Sequence, residues 1–160
     1  MRTLVVTAAD LKDGTYVGPE NLDGFEGHLE IAANLGCVHF AGSVRVSGRI
    51  RAFAGSGIEA GEGIKAGSGI EAGWGIEAGW GIEAGWGIVA GFSIVCKAVL
   101  SFRFKLFAGV AWWRDAADNT ITCGRLDGGT VAYGQVRELG LPDDPSTPDT
   151  GEDKSELLAP

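Results

Sequence analysis

The sequence predicts an all-β chain wound as a parallel β-solenoid, and three observations carry that expectation. A six-residue unit, or hexad, runs through "GIEAGWGIEAGWGIEAGWGI" (69–88) almost unchanged. Its aliphatic residue returns at Ile58, Ile64, Ile70, Ile76, Ile82, Ile88 and Ile94, and Leu100 and Leu106 keep the register beyond it. Upstream, Val38, Val44 and Ile50 hold the same spacing up to a two-residue insertion before Ile58. The third observation is glycine: 27 of 160 residues, clustered in the repeat rather than at every third place as in collagen. An α-helical stripe returns at 3.6 residues, and glycine this dense would destabilise a helix.

Within each unit the strand reading puts Ile inward, the next residue outward and Ala inward again. Gly is then expected at the corner, since it takes φ > 0 without steric cost. Units such as "IKAGSG" (64–69) resemble the hexapeptide-repeat parallel β-helix family: an aliphatic residue, then Gly, Ala, Glu or Asp, two free positions, a small residue and a free one. "IEAGWG" departs from that pattern by placing Trp where a small residue is expected. The resemblance covers less than half the chain and implies a left-handed triangular coil of about 18 residues, with rungs about 4.8 Å apart. Charge agrees with that register. With three hexads per coil Glu59 stacks on Glu77, Lys65 on Glu83 and Glu71 on Val89; with two, Glu59, Glu71 and Glu83 would form one repulsive column.

The remaining elements follow in order. Residues 1–37 carry Gly, Pro and Asn punctuation and the strand-like "HLEIAA", and read as an N-terminal β cap on a solenoid spanning 38–111. "AVLSFRFKLFAG" alternates like a half-exposed strand. Residues 112–140 read as a C-terminal cap with a β-hairpin around Asp127-Gly128-Gly129. The stretch 141–160 is rich in proline and acids and is expected to be disordered.

The residue after the corner Gly reads Ser56, Glu62, Ser68, Trp74, Trp80, Trp86 and Phe92. A position that accepts Ser and Glu is not a packed interior, because an unpaired buried Glu costs several kcal/mol. The tryptophans therefore belong at outer corners, where two roles stay open. They can pack on flanking chain, with Trp74 on Phe92 and Trp86 on Phe104, or they can form a surface for a partner.

Net charge is −8, in bands of −4 (1–36), +3 (37–54), −4 (55–92), +3 (93–137) and −6 (138–160). Direct binding to nucleic acid or to an anionic membrane is disfavoured. No apolar run is long enough for a secretory signal, and Lys97, Arg103 and Lys105 interrupt the most apolar region, Ile88 to Trp113. Cys37, Cys96 and Cys123 show neither metal nor disulfide spacing, so a cytoplasmic setting is expected, or a host's cytoplasm for a phage protein. Cys96 takes an inward Ala position; Cys37 and Cys123 are candidate reactive thiols with no base beside them in sequence.

No catalytic residue, metal site or cofactor is expected. Hexapeptide acyltransferases use a histidine base, but no partner carboxylate is legible for His28 or His39. The first functional expectation is a non-enzymatic binding or inhibitor protein with a protein partner, such as a nucleic-acid-handling enzyme. By resemblance to acidic pentapeptide-repeat proteins, this includes an anti-CRISPR or anti-restriction inhibitor of phage or mobile-element origin that mimics DNA. Its contact residues would be Trp74, Trp80, Trp86, Glu59, Glu62, Glu71, Glu77 and Glu83. The second expectation is a self-assembling homo-oligomer resembling bactofilins, with opposite charge bands stacking end to end.

Overall fold

A computed structural model describes residues 2–110 and 119–141. Within them the chain is nearly all β, with parallel strands in curled sheets and one short 3-10 turn at Ala8–Asp10. The strands, numbered in chain order, fall into three ladders. The first holds β4 (Asp23–Phe25), β7 (Val44–Val46), β10 (Ile64–Ala66), β13 (Ile82–Ala84), the start of β16 (Val99–Ala108) and the start of β18 (Arg125–Tyr133). The second holds β1 (Thr3–Val6), β5 (His28–Ile31), β8 (Ile50–Ala52), β11 (Ile70–Ala72), β14 (Ile88–Ala90) and the later halves of β16 and β18. In the third, β2 (Leu11–Lys12) pairs antiparallel with β3 (Thr15–Tyr16). Then follow β6 (Gly36–Phe40), β9 (Ser56–Ala60), β12 (Ile76–Ala78), β15 (Ile94–Cys96), β17 (Thr120–Cys123) and β19 (Gln135–Glu138). The chain visits the ladders in turn, so each circuit adds one strand to each.

Within the regular repeat the register steps by three hexads: Ile64 pairs with Ile82, Ile70 with Ile88 and Ile76 with Ile94. Inward Ile and Ala alternate with an outward residue, as the period-two reading requires. From Ile58 through Ile94 each repeat Ile is at most 1% exposed, and Leu100 and Leu106 are at 0%. Fully burying side chains of this size stabilises by about 1.5–3 kcal/mol each. The two-residue insertion lengthens the preceding circuit by its own length, seen in Val44 on Ile64 and Ile50 on Ile70. The extra length turns at Gly55, whose φ is +80°.

Several expectations are corrected. The repeat glycines do not have positive φ; their role is close approach. A Cβ on Gly79 would lie 2.1 Å from the Gly61 carbonyl oxygen, and one on Gly85 2.0 Å from that of Gly67. Stacked corners leave no room for a side chain there. The ladders also outrun the 38–111 boundaries, since β1, β4 and β5 already join them and β17, β18 and β19 continue them. No hairpin forms at Asp127-Gly128-Gly129. Those residues lie inside β18, which runs parallel to β16 round a corner, with Gly128 at φ +110°. Parallel pairing wins because it keeps Leu126 and Val131 in the inward register over Leu100 and Leu106. Residues 111–118, and all of the expected disordered tail 141–160 except Leu141, lie outside the described residues.

Candidate binding surface

The corner residues stack by backbone hydrogen bonds. Trp74 N–H donates to Ser56 O, Trp80 N–H to Glu62 O, and Trp86 N–H to Ser68 O. One circuit thus places one tryptophan on each corner. Their environments differ. Trp74 is half-buried, tilted on Phe92 at 6.1 Å between ring centroids. Trp80 and Trp86 are 54% and 63% exposed, and Trp86 meets Phe104 edge-on at 6.4 Å. Phe104 is itself exposed, and Arg103 lies over its ring at 5.8 Å. Ser56 departs from the expectation of an open corner: it is fully buried, donating to Ala32 O at 2.5 Å and accepting from Leu35 N–H at 3.0 Å. The longer circuit folds back over it and satisfies its hydroxyl.

Because β13 connects Trp80 to Trp86, these two corners border the outer face of the first ladder. A groove of about 1000 Å³ follows that face past Arg45, Lys65, Trp80, Glu83, Asp127 and Leu141. Charges down it alternate. Arg45 pairs with Asp23, Lys65 Nζ lies 3.7 Å from Glu83, and Glu62 accepts from Ser43 Oγ at 2.9 Å on the bordering corner. Of the eight residues singled out in the sequence, Trp80, Trp86, Glu62 and Glu83 come together here. The other four face elsewhere. Glu71 is on the second ladder beside Arg51 Nε at 3.9 Å, Glu59 and Glu77 stack on the third, and Trp74 is at the corner between those ladders. Sequence reasoning passed over Arg45, Lys65, Arg103 and Asp127 as groove residues. The three-hexad register was enough to align Lys65 with Glu83, but the lengthened circuit hid Arg45 and the irregular return hid Asp127.

The acids do not form one continuous column. Basic residues stand between them on the first and second ladders, leaving the third with Glu59 directly on Glu77. There Glu59 also meets His39 Nδ1 at 3.5 Å and accepts from the Cys37 thiol at 3.7 Å, so His39 does have a carboxylate neighbour that the sequence did not reveal. Desolvation and the Glu59 charge push the Cys37 thiol up to about 11, away from what a nucleophile needs. Cys123 proves buried rather than accessible, its thiol pushed up to about 11 by burial and Glu138; Cys96 is buried and pushed up to about 12. His28 Nδ1 accepts the Arg49 N–H at 3.0 Å, which occupies the nitrogen in holding a corner. Among the described residues no group of three His, Cys, Asp or Glu could hold a metal ion, and no helix is long and apolar enough to cross a membrane. No family model, curated protein or solved structure matches the chain.

Proposed function

We propose that the chain is a non-enzymatic binding protein that acts by occupying a protein partner, its ladders forming a left-handed triangular solenoid with three hexads per regular coil. The observation that carries the reading is the pair of exposed tryptophans on either side of one flat, groove-bearing face. Tryptophan is enriched among residues that dominate interfaces, and a strip of alternating charge suits a polypeptide with complementary side chains. An inhibitor of a host enzyme, of the anti-CRISPR or anti-restriction kind, is one form of this function. Mimicry of a DNA duplex has less support, because Arg51 and Lys65 interrupt the acidic positions that would imitate phosphates.

The test is capture from a bacterial lysate with the wild-type chain beside Trp80→Ala/Trp86→Ala. A partner retained by the wild type and lost by the double variant, with circular dichroism unchanged, supports the reading. A partner held equally by both sinks it. Each lost contact at such a position weakens binding by about 2 kcal/mol, roughly thirtyfold.

A further inference from the structure

We infer that the C-terminal end of the ladders is a docking surface for a second copy of this chain, joined about a two-fold axis through Leu126. Strands β18 and β19 each have a strand on one side only. Their inward positions are incompletely covered: Leu126 and Val131 are half-buried, and Val136 is 41% exposed beside exposed Leu139 and Leu141. Edge strands with apolar residues and open backbone donors and acceptors are templates for pairing with another chain.

The register says which chain. A two-fold axis through Leu126, perpendicular to the ladders, runs the first segment of β18 antiparallel to itself. Leu126 then faces Leu126 of the second copy, and Arg125 faces Asp127 of the second copy, twice over. Neither Arg125 nor Asp127 has an ion-pair partner among the described residues. The same operation exchanges the second and third ladders, so Val131 meets Val136 of the second copy, Thr130 meets Arg137 and Ala132 meets Gln135. Inward residues meet inward residues on all three ladders, and the open backbone edges pair with each other. This is the self-complementarity that an isologous dimer requires.

Growth stops at two. At the other end the third ladder finishes in the antiparallel β2–β3 pair, and Val6, Leu22 and Phe25 are at most 5% exposed, so no second apolar end is presented.

Light scattering on the full chain over a concentration series should give twice 16.6 kDa, dissociating on dilution. Asp127→Arg sets arginines against each other and should raise the dimer dissociation constant about tenfold or more, and adding Arg125→Asp should restore it. Val136→Lys, at an already exposed position, should also raise it, with circular dichroism unchanged. A monomer at every concentration overturns the inference, and is the result expected if 142–160 covers this end within one chain. Masses rising without limit, or a dimer indifferent to Asp127→Arg and Val136→Lys, overturn it too.

Discussion

The two ends of the ladders are built from the same parallel register yet finish differently. At the start, the chain turns back on itself through β2 and β3, Asp13 and Gly14 taking φ of +52° and +80° to make the reversal. Around it Val6, Leu22 and Phe25 are sealed, and Arg2 stacks on the Phe25 ring at 4.6 Å. At the finish, β18 and β19 keep the forward direction, and the last inward residues are left at the surface. A parallel ladder has no way to satisfy its own last edge; only a reversal of direction, a cover or another chain can do so.

The sharpest way to break this comparison is truncation at matched inward positions. Phe25→Ala should cost about 3–4 kcal/mol in urea unfolding, because a sealed aromatic leaves a cavity; Leu126→Ala should cost about 1 kcal/mol in the isolated chain. Equal losses would mean that the finish is sealed too. Glycine replacement gives a somewhat smaller contrast. A Cβ on Gly27 would lie 2.2 Å from the Arg2 carbonyl oxygen, whereas one on Gly140 meets nothing within 4 Å. Gly27→Ala should lower stability by about 3 kcal/mol and Gly140→Ala by about 1, the latter only through its φ of +87°. Amide hydrogen exchange should run the same way, slow in β9 and β12 and fast in β18 and β19, with the fast end slowing as protein concentration rises.

The smallest expected effect is on pH dependence. Burial raises the thiols of Cys96 and Cys123 to about 12 and about 11 from an ordinary 9.0. The fold therefore favours the protonated thiol. That contribution is complete below pH 9 and is lost as pH rises through 11 and 12. The melting temperature should fall across this window, less steeply in Cys96→Ala. Cys37 should alkylate slowly at pH 8, and several-fold faster in Glu59→Gln, which removes a neighbouring charge that opposes the thiolate.

The repeat was legible because one residue type recurs under one constraint. Ile at every sixth position fixes which side faces inward, and the Lys65–Glu83 pairing follows from the register alone. What failed was inference from turn chemistry. Asp127-Gly128-Gly129 has the composition of a tight reversal, but the inward placement of Leu126 and Val131 outweighs it. Ser56 looked like an open corner because its two polar partners come from residues 32 and 35, far from the motif. The site was half legible for the same reason. Hexad spacing gives the corner on which Trp80 and Trp86 sit, while Arg45 and Asp127 reach the groove through circuits of irregular length.

The fixed step between stacked residues has a genetic corollary. Near-identical codon blocks invite replication slippage, and the reading frame of the architecture is three blocks rather than one. Gain or loss of three hexads between 58 and 94 would lengthen or shorten the stack while leaving every later side chain on its own side. Gain or loss of a single hexad would move all that follows by a third of a revolution, carrying Arg125 and Asp127 away from the strip they share with Lys65 and Glu83.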